Sequence, residues 1–255
     1  PGTYVITVEV PEGWAQLYPN QDVSINTYTG SDVALSLPGD SISTTATTSA
    51  GDLIGLDDLQ NDSRFAGING SGFSIVIIDT GIDLNHPAFG PDSDGNGIAD
   101  RIVYQYDFAD QDYDASDVNG HGSHVASIIT AQDGSSTGLA SGADLIVLKV
   151  FGDDGQGYFS YVEQALTWVI DHAAEYNVAA VNMSFGDEAN WHQAEGNYGL
   201  ADELAVLAAM NVICVAAAGN GFASFNSDPG LAYPAADLNV VSVGAVWDDD
   251  YDGPW

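Results

Sequence analysis

Asp79 closes the apolar run Ser74-Ile75-Val76-Ile77-Ile78, and His121 lies in a glycine-flanked stretch, Asn119-Gly120-His121-Gly122-Ser123-His124. A carboxylate at the end of a buried strand and an imidazole opening a helix are two parts of an oriented general base. The carboxylate fixes which ring nitrogen carries the proton, and the other nitrogen is left to take one from a nucleophile. After such an apolar run Asp79 is partly desolvated and needs hydrogen bonds in return, which an imidazole supplies. The alternative is a carboxylate that only caps the turn through Thr80 and Gly81. His121 and His124 share a helix face, as two metal ligands would. A zincin helix, however, spaces its histidines by four with a glutamate beside the first, and neither condition is met here. Asn220 follows the small residues Ala216-Ala217-Ala218-Gly219. Small residues let backbone approach a ligand while the amide points at developing negative charge; otherwise Asn220 is an ordinary turn residue before Gly221.

The elements that must hold these groups alternate in type. Strand-like runs end at Asp79 and recur at Leu145 to Val150, Val178 to Met183, Val212 to Ala217 and Val240 to Val246. Between them, His121 to Ala131, Tyr161 to Tyr176 and Leu200 to Met210 carry apolar residues at three- and four-residue spacing, as helices do. Such alternation predicts an α/β fold, a three-layer arrangement with a mostly parallel sheet covered by helices on both faces. Ligands of such sheets bind beyond the carboxyl ends of the strands, where Asp79, Ser184 and Asn220 all fall. A short helix carrying Leu53, Leu56 and Leu59 precedes the Gly67 to Gly72 punctuation. Upstream, residues 3–10 alternate as a half-buried strand, Val23 to Tyr28 and Val33 to Leu37 are β-like, and Ser41 to Ser49 reads as a linker. Residues 1–50 are therefore expected to be the end of an upstream module or pro-region with its linker, and 51–255 the main domain.

Acidic loops offer a second chemistry. In Asp92-Ser93-Asp94-Gly95-Asn96-Gly97-Ile98-Ala99-Asp100, the donors Asp92, Asp94, Asn96 and Asp100, with the Ile98 carbonyl, take positions 1, 3, 5, 9 and 7 of an EF-hand-like calcium loop whose glycine is at 6. Val103 replaces the usual bidentate glutamate, so a later carboxylate or water must complete the shell; Asp107, Asp110, Asp112, Asp114 and Asp117 could supply missing ligands or form a second site. A flexible acidic turn is the alternative. The full chain of 255 residues has 3 Lys+Arg against 37 Asp+Glu, a net charge of −34 that excludes nucleic acid as a partner. The acidity also fits a surface kept soluble by charge. Cys214 is the only cysteine, inside Val212-Ile213-Cys214-Val215, and reads as core. No membrane segment is expected in this chain.

Taken in order, these motifs resemble the subtilisin-like serine peptidases, the subtilases, whose triad runs Asp, His, Ser. Leu148-Lys149-Val150, Gly155-Gln156-Gly157, Asn182-Met183-Ser184-Phe185-Gly186, Ala216-Ala217-Ala218-Gly219-Asn220 and Tyr233-Pro234-Ala235 extend the likeness over roughly residues 55 to 247. The resemblance implies that Asp79 orients, His121 is the general base, His124 packs structurally, Asn220 is the oxyanion-hole amide, and Tyr233-Pro234 is a cis turn. It also implies that Gly155, Gln156, Gly157, Ser184, Phe185, Gly186, Ala218 and Gly219 flank an extended peptide or protein substrate. Phe159 and Phe185 would line apolar subsites or pack inward. Asp187, Glu188 and Glu195 would favour basic side chains or form a solvated loop. No Gly-Thr-Ser-Met-Ala or comparable segment occurs before Trp255, so the serine is expected in a missing C-terminal segment and this fragment alone is expected to be inactive. The expectation is a secreted, extracellular or cell-surface endopeptidase, monomeric and stabilised by structural calcium. The alternative is a non-catalytic calcium-dependent surface or adhesion module on the same fold.

Overall fold

The structure, a computed structural model, describes residues 34–35, 55–65, 67–132, 137–194 and 198–245. Expectations for residues 3–10, Val23 to Tyr28 and Ser41 to Ser49, and most of Val33 to Leu37, lie outside those residues. The described elements are α1 (Leu56–Asn61), β1 (Ser74–Asp79), β2 (Ile102–Asp107), α2 (His121–Thr130), β3 (Asp144–Lys149), α3 (Phe159–His172), β4 (Val178–Met183), α4 (Ala201–Ala209), β5 (Ile213–Ala217) and β6 (Val240–Val243). The strands form one parallel sheet in the order β2-β3-β1-β4-β5-β6. None of the described helices is long and apolar enough to cross a membrane.

Strand parity decides which side chain meets which helix. Val76 and Ile78 of β1, with Ile146 and Leu148 of β3, pack into a cluster containing Val162, Leu166 and Val169 of α3 and Leu204 and Leu207 of α4. Their alternates Ile77, Leu145 and Val147 pack on the opposite face with Ala126, Val125 and Ile129 of α2. Apolar residues at all four inner positions of β1 and β3 are what a strand buried on both faces requires. Asp79 has the parity of Ile75 and Ile77, so the fold delivers its carboxylate to the α2 face. The ten-residue α2 does not reach β5 and β6, and on that side Ile213 (56%), Val241 (49%) and Val243 (50%) remain exposed.

From β1 the chain crosses to β2, returns through β3, and then builds β4, β5 and β6 on the other side of β1. The direction of winding reverses at β1, which places Asp79 at the switch point where open α/β sheets open a crevice. β2 was not expected from the sequence. Its apolar pattern is broken by a register shift between Ile102 and Tyr104, and as an edge strand it leaves Val103 39% exposed. The expected strand Val240 to Val246 ends at Val243, with 246–255 outside the described residues.

Candidate active site

His121 Nδ1 lies 2.7 Å from Asp79 Oδ1, with Asp79 1% and His121 9% exposed. The same Asp79 oxygen accepts the Thr80 amide at 2.7 Å. With Nδ1 committed to the carboxylate, Nε2 is the ring nitrogen left to accept a proton. Burial alone would pull the imidazole pKa down. The hydrogen bond and charge of Asp79, helped by Asp117, outweigh it and hold His121 above the ordinary histidine value. Burial in turn pushes Asp79 up, opposed by its bonds from His121 and Thr80. His124 goes the other way, lowered by burial and by its neighbour His121.

Two glycines permit this approach. Gly81 has φ 99°, and a Cβ there would stand 2.4 Å from the Ala115 carbonyl oxygen. At Gly122 a Cβ would meet the Gly81 carbonyl oxygen at 2.1 Å and Asp79 Oδ1 at 3.1 Å. Helix α2 thus lies against the turn that follows β1 because neither residue has a side chain.

Asp117 was read from sequence only as a spare calcium ligand, and the structure gives it other work. Its Oδ1 accepts Thr80 Oγ1 at 3.0 Å and the amides of Asn119 and Gly120 at 2.9 Å each. Its Oδ2 accepts the Ser123 amide at 2.9 Å and Ser123 Oγ at 2.6 Å. Gly120, the residue at the helix boundary, makes no side-chain cap, so a carboxylate three residues upstream supplies it. Thr80 Oγ1 also accepts the Gly122 amide at 2.9 Å, tying the helix to the residue after Asp79. The one signal in the sequence was an aspartate four residues before His121.

Lys149 pairs in register with Asp79 on one side and Asp107 on the other. Its ammonium is buried, 3.3 Å from Asp107 Oδ2 and 3.0 Å from the Ser116 carbonyl oxygen. One of the chain's three basic residues therefore braces the segment that carries Asp117.

The expected substrate segments lie at the same carboxyl edge. Gly155, Gln156 and Gly157 form a turn closed by Gly152 N donating to the Gln156 carbonyl at 2.8 Å, with Phe151 and Gly157 bridged antiparallel. On its other side Gly157 O accepts the Leu35 amide at 2.8 Å, and Ala34 bridges Tyr158 antiparallel. A short extended piece of the chain itself is therefore added to that edge. Ser184, Phe185 and Gly186 follow β4, and Ala218, Gly219 and Asn220 follow β5, with Asn220 exposed. Ala218 accepts the Ala232 amide at 2.9 Å, in the segment that contains the cis Tyr233-Pro234 bond.

The structure decides between the alternatives left open for two sets of side chains. Phe159 and Phe185 are each 1% exposed; they pack inward among Phe151, Tyr198 and Tyr233, so only the main chain of Phe185 could meet a ligand. Asp187 does not present a free charge. It accepts Tyr233 N at 2.9 Å, Ala189 N at 3.1 Å, Trp191 Nε1 at 2.8 Å and Tyr198 OH at 3.0 Å. Glu188 is exposed, and Glu195 lies outside the described residues.

In the acidic loop, one carboxylate oxygen from each of Asp92, Asp94 and Asp100 lies within 4.8 Å of the others. Three convergent carboxylates fit a hard divalent cation. Asn96 lies beside that triad. Its side-chain Oδ1 accepts Ile98 N at 2.7 Å and its side-chain nitrogen donates to Asp94 Oδ2 at 3.1 Å. Among the described residues the later aspartates do not join it: Asp107 pairs with Lys149, while Asp112 and Asp114 accept the Asp114 and Ser116 amides.

The profile described as the Subtilase family matches residues 70–252. The chain is 35% identical over 187 residues to the Thermophilic serine proteinase of Bacillus sp. (strain AK1), covering 71% of this chain and 40% of that protein. It is 32% identical over 187 residues to the Major intracellular serine protease of Bacillus subtilis (strain 168), covering 71% and 53%. It is 35% identical over 202 residues to the Alkaline serine exoprotease A of Vibrio alginolyticus, covering 78% and 33%. A solved structure titled S41 Psychrophilic Protease superposes with a TM-score of 0.54 at 29% identity, covering 74% of this chain and 58% of that one. The chain thus spans about half or less of the length of these curated relatives. By name they include an intracellular protease and an exoprotease.

Proposed function

The chain belongs to the subtilase family, and from that premise we propose that it forms most of the catalytic domain of a serine endopeptidase, with the nucleophilic serine supplied by sequence beyond Trp255. The observation that carries the reading is the buried 2.7 Å contact between His121 Nδ1 and Asp79 Oδ1 at the switch point of the sheet. In this reaction Nε2 of His121 takes the serine proton, the serine oxygen attacks the scissile carbonyl, and His121 then returns the proton to the leaving amine. Asn220 donates its side-chain amide to the oxyanion, and the main chain of Gly155 to Gly157 and Ser184 to Gly186 holds the peptide. The pairing of Leu35 with Gly157 supports the latter, since it shows that edge accepting an antiparallel strand. Residues 1–50 are then the end of a pro-region or upstream module, with Ala34 and Leu35 standing where a substrate strand would lie.

The acidic loop is proposed to hold structural calcium through Asp92, Asp94 and Asp100. The protein is proposed to act as an extracellular or cell-surface monomer. The test is labelling with a serine-directed fluorophosphonate. The protein expressed from its full reading frame should label and lose the label in His121→Ala, while residues 1–255 alone should not label. A well-folded full-length protein that resists the reagent would overturn the assignment.

A further inference from the structure

We infer that Asp117 is a second carboxylate serving the general base: a positioning residue that fixes the start of α2 against β1 and lends His121 negative charge from the helix side. The inference rests on the role proposed for His121, and goes beyond it. Five donors converge on this one side chain, and they come from both sides of the Asp79–His121 contact: Thr80, adjacent to Asp79, and Asn119, Gly120 and Ser123, around His121. Ser123 Oγ also accepts the Asp83 amide at 2.8 Å, so the network fastens the whole turn after β1 to the first turn of the helix. The bracing extends outward, because the Lys149 ammonium holds the carbonyl of the preceding residue, Ser116.

The geometry has a chemical consequence. In the proposed reaction His121 becomes an imidazolium when it takes the serine proton, and negative charge fixed nearby stabilises that form without reorganising. Asp79 alone faces the ring directly; Asp117 acts through space and through the helix it anchors. The other titratable group that interacts with the ring is His124, one turn along α2. Both aspartates act on His121 in the direction that raises its pKa, and removal of Asp117 must lower it.

Two variants of the full-length protein separate position from charge. Asp117→Asn keeps an acceptor oxygen for the cap and removes the charge; Asp117→Glu keeps the charge and misplaces the cap by one methylene. The His121 titration is read by NMR in the uninhibited protein, independently of turnover, so failure of the peptidase reading does not mask failure of this one. In Asp117→Asn the titration and the acidic limb of kcat/KM should both move to lower pH, and kcat should fall on the order of tenfold with little change in KM. In Asp117→Glu the titration should stay near that of the parent while kcat falls. If Asp117→Asn does not fold, the split in the Glu variant decides. A parent-like titration in a folded Asp117→Asn, or a parent-like kcat in Asp117→Glu, overturns the inference. A clean His121 titration shift in a protein that never labels with fluorophosphonate would leave it standing and sink the peptidase reading instead.

Discussion

Glu203 lies in the first turn of α4, 0% exposed, with the Asp202 side chain beside it. Burial, reinforced by the nearby acids Asp202 and Glu163, pushes its pKa up from 4.5 to about 8. A carboxyl held this way keeps its proton in the folded protein at pH values where the unfolded chain has lost it. The folded state therefore binds more protons, and stability falls as pH rises. The contribution is fully present below about pH 4.5 and is lost progressively up to about pH 8. At 1.36 kcal/mol per pH unit, the burden reached by pH 7 is at most ~3 kcal/mol. Glu203→Met removes the titrating group while filling similar volume with an unbranched side chain. Urea unfolding at pH 5, 6, 7 and 8 should show the variant gaining on the parent with every step, from near parity at pH 5 to an advantage of up to ~3 kcal/mol at pH 7. Asp237, 3% exposed and raised to about 6 by burial, tilts both proteins alike and cancels in the difference. A difference between parent and variant that does not change with pH would refute the assignment of a neutral, buried carboxyl.

Lys149→Met leaves Asp107, 1% exposed, as a buried charge without its ammonium partner. A loss of about 3–5 kcal/mol is expected in the same urea assay, and a loss below ~1 kcal/mol would show that the Ala109 and Asp110 amides already satisfy that carboxylate. If calcium binds the acidic loop, free ion at a hundred times its Kd should stabilise the protein by about 2.7 kcal/mol. Chelation should then lower Tm, Asp94→Asn should blunt that response, and a Tm indifferent to chelator would remove the metal.

The central elements were legible because one physical constraint wrote them: strands buried on both faces carry continuous apolar runs, and β1 (Ile75 to Ile78), β3 (Leu145 to Leu148) and β4 (Val178 to Val181) do. The Asp79–His121 contact was legible for a related reason, since a charge ending such a strand needs a partner and the glycines at 81 and 122 mark where backbone comes close. β2 was not, because an edge strand with a register shift carries neither a continuous apolar run nor a clean alternation. The roles of Asp117 and Asp187 were hidden for a different reason. Each is an ordinary acid in an acid-rich loop, and what sets it apart is the convergence of donors from residues far along the chain, the Tyr233 amide on Asp187 and the Thr80 hydroxyl on Asp117. Sequence shows a side chain's charge but not the donors that the fold aims at it. Phe185 illustrates the converse, for its place beside Ser184 suggested a ligand contact whereas tertiary packing turned it into the core.

The acidity of the chain bears on the chemistry through the same geometry. Asp79 is buried with its Oδ2 lacking any hydrogen bond among the described residues, a costly state for a carboxylate. A basic side chain at that oxygen would remove the cost, but it would also neutralise Asp79 before reaction and weaken its pull on His121. Lys149, the nearest cation in the register, is turned to Asp107, Asp153 and the Ser116 carbonyl instead. Asp79 therefore obtains its counter-charge only when His121 takes up a proton. The burial and charge of Asp79 thus favour a protonated His121 relative to an isolated imidazole, and in the proposed reaction that is the state proton transfer creates, so the preference would act on the barrier.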